Sequence, residues 1–224
     1  MPLDASPSAE ALLSWALSDP GFGRAALVSS FGAESVALLH MVSRAAPATP
    51  VLFLDTEMLF PETLAYQEEV AHGLGLTDVR RVVPDAAERD PGGLLHRTDP
   101  DACCALRKTE PLEGALSAFD AWITGRKRYQ GGARRALPLV ETDGTRLKVN
   151  PLAAWSREDV AAYIERHDLP RHPLVARGYP SIGCAPCTTP VAAGEDERAG
   201  RWRGTGKDEC GIHFENGRLI GRAA

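Results

Sequence analysis

Residues 26–35, ALVSSFGAES, carry three kinds of local structure in close succession. Ala26-Leu-Val-Ser-Ser30 is a short apolar run closing on small polar residues, the pattern of a buried strand. Phe31-Gly-Ala-Glu-Ser35 forms a tight loop, after which Val36, Leu39, His40 and Val42 recur at helical spacing. Strand, loop and helix in that order leave backbone N–H groups at a helix N-terminus, where an anion can be received. Small residues between a strand and a helix are also common where nothing binds, so the pattern alone suits a structural turn equally well.

The alternation continues along the chain. Val51-Leu-Phe-Leu54 reads as a second buried strand closed by Asp55-Thr56, and Pro61 opens a helix running to about His72, with Gly73 as its stop. Residues 79–83 read as a third strand, 121–124 as a fourth and 147–150 as a fifth. Ser156-Arg-Glu-Asp159 has capping-box form, with Trp155 and Val160 placed as a hydrophobic staple, and its helix ends near His167. Strands alternating with helices predict an α/β fold with a mostly parallel sheet. Beyond Pro170 the periodicity fades, and Gly194, Gly200, Gly204 and Gly206 punctuate the chain before Cys210. Residues 1–170 are therefore expected to form the α/β domain, and 171–224 an irregular C-terminal segment of the same compact unit, ending in a tail able to move.

Composition narrows the class. The 224 residues are 44% hydrophobic and 25% charged, ordinary for a globular chain with a real core. No apolar run approaches the ~18–20 residues that a membrane helix needs. The opening MPLDASPSAEALLSWALSD has acids and no basic start, unlike a secretory signal, so a cytoplasmic protein without a membrane partner is expected. A net charge of −5 carries no signature of nucleic-acid binding. Basic residues nevertheless cluster: Arg126, Lys127, Arg128, Arg134 and Arg135 fall between Thr124 and Arg135 without one acid. Such a loop suits a small anionic ligand, although a solvated charged loop has the same composition.

Five cysteines, set as two pairs plus one, do not describe a secreted disulfide framework. Cys103 and Cys104 are adjacent in DACCALRKTE (101–110), which looks like a helix start, so their side chains diverge by about 100°. Two such thiolates meet one tetrahedral zinc with difficulty. A wider iron–sulfide cube accepts both, with Cys184 and Cys187 of SIGCAPCTTP (181–190) completing a four-cysteine set. A C-x-x-C pair also serves zinc or a redox disulfide, and spacing alone leaves those readings open. Cys210 stands apart, 23 residues beyond Cys187.

The segments CCALRK (103–108), WITG (122–125), GYPSIGCAPC (178–187), GEDERAGRW (194–202) and ECGIH (209–213) carry a resemblance that runs in order from about Ala26 to His213. Together they resemble the assimilatory adenylyl-sulfate (APS) reductases. The loop SSFGAES is in turn similar to the S-G-G-x-D-S pyrophosphate loop of ATP pyrophosphatases, with Phe31 for the second glycine and Glu34 for the aspartate. That change weighs against ATP hydrolysis and against a nucleotide-activating ligase, and leaves a site for a related nucleotide. The resemblance implies a Rossmann-like fold of the adenine-nucleotide alpha-hydrolase (PP-loop) type. It implies a [4Fe–4S] cluster on Cys103, Cys104, Cys184 and Cys187. It also implies reduction of adenosine 5′-phosphosulfate to sulfite and AMP by thioredoxin or glutaredoxin, in sulfate assimilation and cysteine biosynthesis.

On the same resemblance Cys210 is the nucleophile, forming an S-sulfonate that an external dithiol resolves. Ser29, Gly32 and Ser35 belong to the phosphate loop, Leu54 and Thr56 to the segment that meets the adenosine, and Arg128 to the basic loop. Lys108, Arg198 and Arg201 grip the phosphosulfate. Asp208 and Glu209 beside Cys210 disfavour its thiolate, so Lys207, His213 and the substrate-site arginines are expected to offset them. Members of the family often carry arginine where Thr189 stands, so any charge from that position is supplied here by another residue. Two rival readings accompany this one. The 3′-phosphorylated substrate PAPS is generally used by members that lack both cysteine pairs. A zinc-bearing nucleotide-binding protein without redox chemistry is the rival of another class. Homo-oligomerisation is open.

Overall fold

A computed structural model describes residues 7–205, Lys207, Glu209 and the strands Phe214–Glu215 and Arg218–Leu219. Gly206, Asp208, Cys210 and His213 lie outside the described residues. The helices are α1 (Ala9–Ser18), α2 (Ser35–Ala45), α3 (Pro61–Gly73), α4 (Leu95–Thr98), α5 (Pro100–Cys104), α6 (Glu110–Leu116) and α7 (Arg157–Arg166). The main strands are β1 (Ala25–Ser29), β2 (Val51–Leu54), β3 (Val79–Val82), β4 (Ala121–Ile123), β5 (Val140–Asp143) and β6 (Arg146–Val149), with β7 (Phe214–Glu215) and β8 (Arg218–Leu219) pairing separately. The six strands form one sheet in the order β3-β2-β1-β4-β6-β5, parallel except where β5 runs against β6.

Both faces of the sheet are covered, so its central strands read as unbroken apolar runs. Leu27, Val51, Phe53, Ala121 and Ile123 pack with residues of α1, α2, α3 and α7. The alternate side chains Ala26, Leu52, Leu54 and Trp122 pack on the other face with Leu112 and Leu116 of α6 and with Phe119. From β1 the chain crosses to β2 on one side, and from β4 to β6 on the other. The carboxyl ends of β1 and β4 therefore flank a switch point, where the loops diverge and leave a crevice. Among the described residues no helix is long and apolar enough to cross a membrane.

The expected elements form, and three of the differences have a local cause. Helix α1 was not among them: Ser8 caps it by accepting from Ala11 N at 3.1 Å, and Ala9, Leu12, Leu13 and Ala16 face the core. Strand β5 was also unexpected, and its signal was the Asp143-Gly144 step, where Gly144 at φ +62 opens a two-residue turn into β6. The third difference is in the Cys-Cys helix. It begins at Pro100 and continues to Leu116 through a π turn at Ala105–Thr109. Pro111 supplies the physical cause, because it lacks an N–H and its ring crowds the carbonyl one turn back. Widening the preceding turn accommodates that ring and carries Arg107 and Lys108 inward, where both are buried.

Candidate active site

Loops at the carboxyl ends of β1, β2 and β4 enclose a cleft of about 1350 Å³ that is open to solvent. Ser29, Gly32 and Ser35 line it from the first loop, and Leu54 and Thr56 from the second. Lys108, Arg198 and Arg201 complete the set that the structure brings together. Arg128 is not among the lining residues: its side chain is exposed and its Nε donates to the Leu137 carbonyl at 2.8 Å. Its neighbours Arg126, Lys127, Tyr129 and Arg134 line the cleft instead. Trp122 and Arg157 do so as well, and Arg157, embedded in a capping box, gave no sequence signal.

The phosphate loop keeps its shape without the second glycine. Phe31 takes a left-handed φ of +49, which costs a non-glycine residue about 1–2 kcal/mol. Its ring is fully buried, edge-on to Phe53 at 5.3 Å, and burial of about 1.5–3 kcal/mol offsets that strain. Glu34 makes no capping bond to α2. Its carboxylate accepts from Lys127 Nζ at 2.7 Å and from the Tyr129 hydroxyl. Burial alone would raise Glu34, but the Lys127 ammonium and the two hydrogen bonds carry it below the usual carboxylate range. The acid missing from the basic loop thus comes from the phosphate loop, and it cancels one cation in the cleft.

The loop after β2 fastens both cysteine pairs. Thr56 Oγ1 and Cys184 Sγ lie 3.2 Å apart, and Ala185 N donates to the Met58 carbonyl at 2.7 Å. From the Cys-Cys helix, Arg107 Nη1 donates to the Thr56 carbonyl at 3.0 Å, while Nη2 pairs with buried Asp90 at 2.9 Å. Cys103, Cys104, Cys184 and Cys187 line one small cavity together with Arg107 and Lys108. No disulfide joins any two of the described cysteines. The crowded thiols resist ionising: burial, Cys104 and Cys184 push Cys103 up to about 11, and burial and Cys184 raise Cys187. Burial opposes Cys184 too, yet Lys108, the Thr56 hydroxyl and Arg201 bring it below the ordinary thiol value. Among the described residues no three His, Cys, Asp or Glu converge to hold a single metal ion. The four thiols surround a space rather than a point.

The arginines are held from the C-terminal segment. Arg201 stacks on the Trp202 ring at 4.4 Å, and its Nε is buried without a hydrogen-bond partner among the described residues. Arg198 lies over the same ring at 5.8 Å. Arg134 clamps the buried Glu209 carboxylate with Nε at 2.6 Å and Nη2 at 2.7 Å, and Arg198 approaches it at 4.0 Å. The negative charge immediately before Cys210 is therefore neutralised by guanidinium groups. Thr189 lies exposed outside the cleft, and its hydroxyl accepts from Arg203 Nε at 3.2 Å.

A parallel sheet with a phosphate-loop cleft at its switch point defines a nucleotide-binding protein of the PP-loop α/β class. The fold is shared with the FMN adenylyltransferase of Candida glabrata at TM-score 0.60 and 16% identity, covering 84% of this chain and 65% of that one. The phosphoadenylyl-sulfate (PAPS) reductase of Candida auris, solved as a phosphate complex, superposes at TM-score 0.70 with 27% identity, covering 82% of this chain and 91% of that one. Residues 24–190 match the model of the phosphoadenosine phosphosulfate reductase domain, and the chain belongs to that family. A relative from Chelativorans sp. (strain BNC1) is 49% identical over 205 residues, 90% of this chain and 84% of its own. One from Mesorhizobium japonicum is 51% identical over 192 residues, 84% of this chain and 76% of its own. Both are named adenosine 5′-phosphosulfate reductase. A Gloeobacter violaceus relative, 45% identical over 195 residues and covering 84% of this chain and 81% of its own, is named phosphoadenosine 5′-phosphosulfate reductase.

Proposed function

We propose that this protein reduces adenosine 5′-phosphosulfate to sulfite and AMP in the cytoplasm, with thioredoxin as reductant, as a step of sulfate assimilation. The observation that carries the reading is Lys108, which lines both the nucleotide cleft and the cavity of the four cysteines. Residues 1–170 bind the nucleotide, and 171–224 bring the C-x-x-C pair and the redox thiol. The adenosine lies against Leu54 and Thr56, and the phosphosulfate faces Lys108, Arg198 and Arg201. The Cys210 thiolate attacks the sulfur, the bond from that sulfur to the bridging oxygen breaks, and AMP leaves with the electron pair. The phosphate gains charge in this step, and fixed cations stabilise it there. The product is a Cys210 S-sulfonate. A thioredoxin thiolate then attacks the Cys210 sulfur, and sulfite departs with the pair from the S–S bond. The second thioredoxin thiol releases Cys210, so both electrons come from the dithiol.

The four cysteines suit a [4Fe–4S] cluster. They enclose a cavity, burial and mutual crowding hold Cys103 and Cys187 above the ordinary thiol range, and Arg107 Nε beside them is buried without a partner among the described residues. When bound by Cys103, Cys104, Cys184 and Cys187, the cluster supplies a fixed anionic centre beside Lys108. Anaerobically purified protein is expected to be brown, with about four irons and matching acid-labile sulfide. A colourless protein with stoichiometric zinc overturns this assignment. The Gloeobacter relative's name keeps PAPS as the second reading. Comparing thioredoxin-dependent sulfite release from APS and from PAPS tests the choice: turnover with APS in clear excess is expected, and equal rates defeat it.

A further inference from the structure

We propose that Glu209 is a positioning residue for the sulfur-transfer step, docking the C-terminal tail so that the adjoining thiol meets the cleft. The inference rests on the reading of Cys210 as the nucleophile. Glu209 is the covalent neighbour of Cys210, and consecutive α-carbons stand 3.8 Å apart. What holds Glu209 therefore limits where that thiol can go.

Two anchors hold this part of the chain, and they grip different elements. Lys207 Nζ donates to the Pro100 carbonyl at 3.4 Å and pairs with Asp101, at the start of the helix that bears Cys103 and Cys104. Two residues on, the Glu209 carboxylate receives the fork of Arg134 from the loop after β4. Glu209 is 8% exposed and the Arg134 side chain 11%, so neither charge is left to water and the bidentate geometry is specific. Removing the Glu209 carboxylate leaves Arg134 with only its bond to Gln130 among the described residues, and one buried positive charge less well balanced.

The anchor also belongs to the substrate's own cation set. Arg134 and Arg198 line the nucleotide cleft, and Arg198 and Arg201 also line a second cavity that Glu209 bounds. An isolated structural ion pair would have no reason to use these groups. Here the tail is docked by the cations that receive the phosphosulfate, so docking and substrate binding draw on one array. The carboxylate competes with substrate for Arg198, while Arg134 keeps hold of it. Loss of Glu209 therefore slows the chemistry without weakening nucleotide binding, two quantities that loss of a purely structural residue would change together.

The test uses the full-length cluster-bearing protein with Glu209→Gln, mixed with APS in the absence of reductant, and follows the S-sulfonate on Cys210 by quenched mass spectrometry. Adduct formation is expected to slow by about 10- to 100-fold, as a thiol misplaced by about 1 Å would. The AMP dissociation constant is expected to stay within about threefold of the unsubstituted value or to tighten, and the iron–sulfur absorption to persist. Glu209→Asp keeps the charge, so its rate is expected between the two, and it carries the same measurement should Glu209→Gln fail to fold. Adding Arg134→Gln to Glu209→Gln is expected to make the rate no slower than the slower single variant, because one pair is lost in each case. A normal adduct rate in Glu209→Gln overturns the proposal. So does a parallel loss of AMP binding, which would mark a structural role. If the unsubstituted protein forms no adduct on Cys210, the reading of the site fails, and this inference falls with it.

Discussion

At Gly183 a missing side chain decides where a guanidinium lies. A Cβ there would meet Arg201 Nη2 at 2.3 Å and Cζ at 2.6 Å. Gly183 is not among the glycines with positive φ, so alanine fits its backbone, and the three atoms nearest the added Cβ all belong to Arg201. Gly183→Ala is therefore expected to expel Arg201 from the cleft and weaken AMP binding about 10- to 100-fold, the worth of one charged hydrogen bond, with little change in melting temperature. Equilibrium titration with AMP checks this, and unchanged affinity contradicts it. Residue identity was legible where chemistry demands a type: the cysteine pairs, Lys108, Arg198 and Arg201 all stand out in their motifs. Direction was not. The basic loop announces its charge, but short 3₁₀ turns at Arg128–Gln130 and Gly132–Ala136 turn Arg128 outward and Arg134 inward. No local pattern encodes that choice, because the partner that holds Arg134 is Glu209, 75 residues away.

Among the elements, β6 carries a buried lysine whose only carboxylate within ion-pair range among the described residues is Glu141, at 4.0 Å. Lys148 is 0% exposed, its Nζ has no hydrogen-bond partner among the described residues, and it sits 4.3 Å from the centroid of the Trp122 ring. Burial, followed by the nearby Arg126, pulls it down to about 8. The unfolded chain holds this proton up to about 10.4, so the penalty is full below pH 8 and fades as pH rises toward that value. Lys148→Met is expected to stabilise the protein by about 3 kcal/mol at pH 7, with the gain shrinking by pH 10. Denaturant unfolding at the two pH values checks it, and a less stable variant at pH 7 contradicts it. The elements that could be read from sequence are those whose pattern is imposed locally. Val51-Leu-Phe-Leu54 is apolar because both faces are covered, and Ser156 with Asp159 closes its capping box as the spacing requires. Strand β5 lies at an edge, half polar, and only its turn betrayed it. The π turn follows from Pro111, which was visible in the sequence, but the inward course it gives Arg107 and Lys108 is met by partners distant in sequence, which spacing does not contain.

Across the whole molecule, the C-terminal segment is tied to the sheet domain by groups that fail in acid. His172, fully buried, has Nε2 3.0 Å from Thr63 Oγ1 and packs on the Tyr66 ring at 4.8 Å. Burial pushes it down to about 4. The unfolded chain takes up this proton near 6.5, so the contribution is full above that pH and falls away between 6.5 and 4. Within the sheet domain itself, Glu34, held below its usual range by Lys127 against the effect of burial, loses its contribution in the same direction, as pH drops below about 4.3. Stability is thus expected to fall from pH 6.5 downward, by up to about 3 kcal/mol from His172, and His172→Gln is expected to flatten the slope between 6.5 and 5. Denaturant midpoints across that range decide it, and an unaltered slope in the variant contradicts the assignment. The central claim concerns the route of sulfur from the cleft to the tail, and mass spectrometry of anaerobic protein mixed with APS alone tests it most directly. One sulfite-mass adduct on Cys210, absent in Cys210→Ser and removed by reduced thioredoxin, is the expected result. An adduct on Cys184 or Cys187 would contradict it.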